Sequence, residues 1–427
     1  MSFGKYEEIP EEWEIKSLGD VSDVFGGMPA PKDDAIFDQG TIPFVRMQDL
    51  GRYHETNNLE ITRDKLNSHQ VKEKKFNIIK KGAILIPRSG SVALNHRAIL
   101  GNDSCIVSHI CALVTKNTMM NNEYLYHLLC TIDMRKITSK TTGLDAITFE
   151  DLKKLKLFYP STISEQKQIA SILSNVDDTL QKTNQIIEQT QRLKTGMMQK
   201  LLARGLGHTK FKKVKWLFGK EIEIPEKSKV SKIDEFLIDI KYGTSKKSNV
   251  KGVGLPLLGI PHIIGGEIQY ENVEHVDLHE SEIQKLKLKN DDMLFVRTNG
   301  NPNYIGRCAL FQKESESWVY ASYLIRVRVD KTKIFPEYLM RFLQSSLTRS
   351  QILRLARTSA GNYNINTKEI GSILVVVHEN KEQKQIASIL SNVDTQIQKE
   401  KLHKSNLERL KKGLMQKLLT GQIRVKV

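Results

Sequence analysis

Cysteine is scarce in this chain of 427 residues: Cys105, Cys111, Cys130 and Cys308 are all there are. None forms a C-x-x-C pair and no spacing recurs, which excludes a zinc or disulfide framework and points to reduced thiols in a cytoplasm. Long apolar runs are also missing. No stretch approaches the roughly 20 residues of a transmembrane helix. The opening "MSFGKYEEIPEEWEIK" is acidic and lacks the apolar core of a signal peptide. A cytoplasmic protein with no membrane partner is expected. Phosphate-loop (G-x-x-x-x-G-K-[ST]) and zinc-protease (H-E-x-x-H) motifs are absent. Acidic residues are outnumbered, with 49 Asp and Glu against 65 Lys and Arg. An excess of +16 suits a polyanionic partner, nucleic acid first, because each neutralised phosphate releases counterions.

What the chain has is repetition. "EQKQIASILSNVD" runs from Glu165 to Asp177 and again, identically, from Glu382 to Asp394. The offset continues into "QRLKTGMMQKLLARG" at Gln191 and "ERLKKGLMQKLLTGQ" at Glu408. Upstream the likeness weakens but keeps its order. "IPEEWEIKSLGDV" (Ile9) faces "IPEKSKVSKIDEF" (Ile224), "NNEYLYHLLCT" (Asn121) faces "FPEYLMRFLQS" (Phe335), and "TTGLDAIT" (Thr141) faces "SAGNYNIN" (Ser359). The chain is therefore a tandem duplication of one unit.

Each unit begins with short apolar runs such as "AILIP" and "MLFVR", punctuated by Gly, Pro and Asn, which read as an α+β domain with many short strands. Each ends in a long helix. After Pro160, "STISEQKQIASIL" offers Ser or Thr caps ahead of Glu165, and apolar or small residues recur in steps of three and four at Ile169, Leu173, Val176, Leu180, Thr183 and Ile187. The expected organisation is a first globular domain over 1–160, a helix over 161–207, a second globular domain over 208–377 and a second helix over 378–427. A pseudo-two-fold repeat of this kind lets the two long helices lie antiparallel and separate the globular domains. Gly196 and Gly413 occupy equivalent helical positions, where close helix approach or simple retention after duplication would account for them. Because polar residues recur as strictly as apolar ones, Glu165, Gln166, Gln168 and Asn175, with Glu382, Gln383, Gln385 and Asn392, are expected to form one surface presented twice to the same kind of partner.

Two divergent domains, each followed by a helix that begins "EQ..IA.IL...D" and ends "L..G.MQ.LL..G", resemble the specificity subunit of a type I restriction-modification system. "IP.EW.I..L.DV" at Ile9, "G.ILI.RSGS" at Gly82 and "YL...L" at Tyr124 agree with that family's framework, and the likeness covers essentially the whole chain. The second half departs from it with Ser228 opposite Trp13 and Gly259 opposite Arg46. The resemblance implies target recognition domains that each read one half of a bipartite double-stranded DNA sequence, and helices that set the spacing and dock two modification subunits. Those partners would bind S-adenosylmethionine and methylate adenine, and restriction subunits would use ATP and Mg for translocation and cleavage. This chain would hold no cofactor or metal and perform no chemistry.

The competing reading is a DNA adenine methyltransferase or nuclease acting alone. The nearest methyltransferase motif is "NPNY", Asn301 to Tyr304, with Asn303 where Pro is required. The pairs Asp33/Asp34 and Asp291/Asp292 lack the lysine of a nuclease site and read as solvated turns. Base readout calls for polar side chains on loops that reach groove edges. In the first domain these are Arg46, Gln48, Arg88, Ser89, Ser91, Asn95, His96, Arg97, Lys140, Thr141 and Thr142. In the second they are Lys246, Arg297, Thr298, Asn299, Asn301, Asn303, Tyr304, Arg307, Arg357, Thr358, Asn362 and Tyr363.

Overall fold

The computed structural model describes residues 10–426 except 11, 33, 38, 54–56, 90–94, 138, 142–143, 314–316 and 360. Two compact units emerge, and each draws on both ends of the repeat. Residues 1–187 join 400–427 in the first unit, while 188–399 form the second.

A mainly antiparallel sheet organises the first unit. Its strands lie in the order Ser22–Gly26, Ile110–Thr115, Ile84–Pro87, Ala98–Leu100, Asn58–Leu59. Ile84–Pro87 is buried along its whole length, as a strand with core on both faces must be. Alternation divides its side chains: Ile84 and Ile86 enter one core, Leu85 the other. The first core is closed by helical residues, among them Tyr124, Leu125, Ile169 and Leu173, with Leu418 and Leu419 from the far end of the chain. The second is closed by a smaller sheet of Asp64–Leu66, Ile42–Val45 and Cys105–Ile106. Trp13–Ser17 pairs with Lys156–Pro160 and ties the start of the unit to the strand before its helix.

The second unit repeats this plan with different side chains. Leu237–Tyr242, Leu324–Val329, Met293–Val296 and Cys308–Leu310 stand in the same order. Met293 and Phe295 face a core with Met198, Leu202, Ile386 and Leu390, whereas Leu294 and Val296 face the other side. The small sheet recurs as Glu274–Val276, Leu255–Leu258 and Val319–Tyr320. Where the first unit buries Trp13 against Phe158, with ring centroids 4.7 Å apart, the second buries Ser228, hydrogen-bonded at 2.7 Å to the His378 ring. A polar pair there replaces an aromatic one. Of the pair Asp291/Asp292, Asp291 does lie in a half-buried turn, paired with Lys331 at 2.6 Å, but Asp292 is buried, its carboxylate held by Arg328 at 2.6 Å; Asp33 lies outside the described residues.

Two long helices run over Ile163–Arg204 and Asn380–Leu418. Both end near a glycine in the left-handed region, Gly205 (φ 64°) and Gly421 (φ 73°), where any other residue is strained. Within the first unit, the start of one helix and the end of the other are antiparallel, because Asp177 bonds Lys411 at 2.5 Å and Glu165 bonds Arg424 at 2.7 Å. The second unit has the matching pairs, Asp394 with Lys194 at 2.5 Å and Glu382 with His208 at 2.9 Å. Gly196 and Gly413 have open space where a Cβ would stand, so close helix approach is not their reason.

These pairings correct the expected docking surface. Glu165 and Gln166 are buried. The Gln166 amide accepts from the Asn121 N–H at 2.8 Å and donates to the carbonyls of Met119 at 3.1 Å and Pro160 at 2.9 Å. Gln383, also buried, accepts from the Phe335 N–H and donates to the His378 carbonyl, both at 2.8 Å. Glu382 additionally accepts from the Leu206 N–H at 2.7 Å. The repeated polar residues at these four positions serve backbone groups and charges inside each unit, because buried donors and acceptors must be paired. Gln168, Asn175, Gln385 and Asn392 do lie on the exposed side, with Lys167 and Ser171 in one copy and Lys384 in the other.

Candidate nucleic-acid interface

In each unit one end of the main sheet gathers the polar residues. The strand Ile84–Pro87 leads directly into Arg88, and Met293–Val296 leads into Arg297. Both arginines are fixed by the same two backbone bonds. Arg88 N–H donates to the His109 carbonyl at 2.8 Å, and its own carbonyl accepts from Ile147 at 2.9 Å. Arg297 N–H donates to the Tyr323 carbonyl at 3.0 Å, and its carbonyl accepts from Ile365 at 2.9 Å. Each guanidinium then lies over an aromatic ring: Arg88 over Phe149 at 4.6 Å, Arg297 over Tyr242 at 4.7 Å. Such stacking holds the cation while leaving its edge available for hydrogen bonds.

A hairpin borders each arginine. Ser139–Thr141 pairs with Leu144–Ala146, and Ser89 bridges to Ala146. In the second unit Arg357–Ser359 pairs with Asn362–Asn364, which also takes Thr298–Asn299 as a third strand. Lys140 and Thr141 thus lie in the outer strand of this hairpin, with Leu144–Ala146 between it and Ser89, whereas Ser91 and Thr142 lie outside the described residues. The strand with exposed Asn362 and half-buried Tyr363 lies alongside Thr298 and Asn299, with Tyr363 opposite Asn299, and exposed Thr358 lies on the strand beyond it.

The "NPNY" segment is a folded turn. Asn299 Oδ1 accepts from Asn301 N–H and Asn301 Oδ1 from Asn303 N–H, both at 2.9 Å. Arg307 lies over the Tyr304 ring at 3.7 Å and donates to the Asn303 carbonyl at 3.0 Å. Arg349 donates to Ile305 O at 2.6 Å and to Pro302 O, and Gly306 (φ 71°) packs against Ile352. The side-chain oxygens of Asn299 and Asn301 are thus used in ordering a preformed loop.

Other expected contacts are committed elsewhere. Arg97 is buried, its guanidinium donating to Asn95 and to the Ile132 carbonyl at 2.6 Å, and burial pulls its pKa below the ordinary arginine value. Asn95 takes a positive φ of 57° and accepts from Met134 N–H at 3.2 Å. Both residues hold the chain together rather than reaching a groove, which corrects their assignment to DNA. His96 lies against Gly51. Arg46 is held by Asp64 with Phe37 and Phe44 beneath it, while Gln48 is exposed. Lys246 pairs with Glu282 at 2.6 Å and Arg357 with Glu369 at 3.1 Å. Burial raises the thiols of Cys105 to about 11 and of Cys111 and Cys308 to about 12, which keeps them protonated.

Comparison with known proteins adds the relatives. The family model described as the type I restriction modification DNA specificity domain matches twice, over residues 10–192 and 225–409. The specificity subunit of the type I restriction enzyme MjaVIII of Methanocaldococcus jannaschii is 29% identical over 428 residues, covering 98% of this chain and 94% of that one. That of EcoKI from Escherichia coli K12 is 24% identical over 408 residues, covering 90% and 82%. The crystal structure of a type I system S subunit from M. genitalium superposes with a TM-score of 0.61 at 16% identity, over 97% of both chains. A structure described as the basis of complex assembly and conformational transition of the type I system gives 0.55 at 14% identity, over 97% of this chain and 100% of the other.

Proposed function

This chain belongs to the family of type I restriction-modification DNA specificity subunits, and from that premise we propose that it reads a bipartite duplex through the arginine-bearing sheet ends of its two units. One observation carries the reading. Identical backbone bonds place Arg88 and Arg297 at equivalent sheet ends, while the side chains around them differ. A conserved frame with divergent polar edges is what two readers of different half-sites need. The chain supplies recognition and positioning; methyl transfer and cleavage belong to modification and restriction subunits carrying S-adenosylmethionine, ATP and Mg.

The exposed helical residues that recur, Gln168 and Asn175 with Gln385 and Asn392, support docking of two modification subunits on matching surfaces. The long helices would set the number of unspecified bases between half-sites.

Co-expression with the modification subunits, followed by genome-wide mapping of methylated adenines, tests this. Wild type should yield one two-part motif, and Arg297→Ala should weaken or relax one half of it only, costing roughly 1–3 kcal/mol. Equal loss at both halves defeats the assignment of Arg297. Residues inserted near Gln185 should lengthen the spacer, and unchanged spacing defeats the role given to the helices.

A further inference from the structure

The backbone bond that fixes each arginine also fixes a second residue, which polar-loop reasoning passes over. His109 and Tyr323 give their carbonyls to the N–H groups of Arg88 and Arg297. Each stands immediately before a main-sheet strand, Ile110–Thr115 or Leu324–Val329. Position by position, "SHICALV" at Ser108 faces "SYLIRVR" at Ser322, so imidazole and phenol are alternatives at one place in the repeat. Both side chains are exposed, Tyr323 to 59%.

Exposure of a large ring beside a stacked arginine needs a reason, since the residue that follows each in its strand, Ile110 or Leu324, is fully buried. We infer that His109 and Tyr323 are base-contacting specificity determinants, one for each half-site. The inference rests on the DNA-reading function proposed above.

Their chemistry fits the task. The Ser89 hydroxyl lies 2.7 Å from His109 Nδ1. When that hydroxyl donates to Nδ1, the neutral ring carries its proton on Nε2 and offers a donor to the purine N7, guanine O6 or thymine O4 of a major groove. Tyr323 offers a phenol that both donates and accepts, on a ring suited to stacking or to a thymine methyl. Neighbouring Ser322 accepts from the Arg297 guanidinium at 3.4 Å, so arginine and tyrosine form one patch. Rigid attachment at a strand start gives the positional precision that discrimination requires.

The test uses the full chain assembled with its modification subunits and a duplex library randomised across both half-sites. His109→Ala should change base preference by roughly five- to hundredfold at one or two positions of one half-site, leaving the other half and the salt slope intact. Tyr323→Ala should do the same to the opposite half. The exchange variants His109→Tyr and Tyr323→His keep the backbone bond and should redirect preference at the same positions, so the question survives if an alanine variant folds poorly. Unchanged preferences in all four variants, or equal changes in both halves, overturn the inference while leaving two-part recognition standing. A wild-type complex that selects no two-part sequence overturns the underlying function instead.

Discussion

Replacing Gln166 with Leu separates an internal role from a surface role at the repeated helix start. The side chain is fully buried and satisfies three backbone groups: the Asn121 N–H and the carbonyls of Met119 and Pro160. Leucine has a similar volume but offers none of these bonds. A buried group left unpaired costs about 1–3 kcal/mol, and the added apolar burial returns about 1–2 kcal/mol. At about 2 kcal/mol for each of the three groups, less that return, the net loss should be about 4–5 kcal/mol, confined to the first unit. For a domain of this size that lowers Tm by roughly 8–20 °C. Gln383→Leu strands two backbone groups, the Phe335 N–H and the His378 carbonyl, and should cost the second unit about 2–3 kcal/mol. Thermal unfolding of the full chain, with hydrogen exchange to assign each transition to its unit, provides the assay. A Gln166→Leu protein that melts within about 1 kcal/mol of wild type yet no longer binds modification subunits refutes the internal role.

Three further perturbations follow from the geometry. Asp394→Asn leaves Lys194 and the largely buried Arg341 without their shared carboxylate; the second unit should lose about 2–4 kcal/mol in denaturant unfolding. The first unit has His127 where Arg341 stands, and burial, with Lys411 nearby, depresses that imidazole to about 3. A depressed histidine leaves the unfolded state binding the extra proton, so first-unit stability should fall by about 1.4 kcal/mol per pH unit as pH drops below 6.5. Asp177, raised by burial, opposes this only as pH falls through its own elevated value, and His127→Gln should flatten the slope in hydrogen exchange. Gly306→Ala would set a Cβ 2.5 Å from an Ile352 methyl at φ 71°; it should cost about 1–3 kcal/mol and blur recognition of one half-site in the randomised-duplex selection.

Much of this architecture was legible from spacing. The apolar steps after Pro160 and the identical second copy announced two long helices, and short apolar runs announced an irregular sheet. Strand order was not legible, because it depends on pairings such as Ile86 with Cys111 and Phe295 with Ile325, which only the folded chain brings together. At the sheet ends Arg88 and Arg297 stood out by charge, but the rings beneath and beside them did not. Tyr242 and Phe149 reach their arginines from distant segments. The misreading of Gln166 and Glu165 has a physical cause as well: repeated polarity signals surface only when no buried backbone group or opposite charge demands it, and Pro160 and Arg424 made that demand from elsewhere.

The first unit is finished by residues 400–427, which follow all of the second unit in the chain. On a ribosome adding roughly 5–20 residues per second, on the order of 10–50 s separates Ile169 and Leu173 from the Leu418 and Leu419 that complete their core. During that interval an apolar helix face waits uncovered beside a nascent neighbour of nearly the same sequence. A chain broken off inside the second helix would therefore damage the half that was made first, and a chaperone should be found on the first unit until synthesis ends.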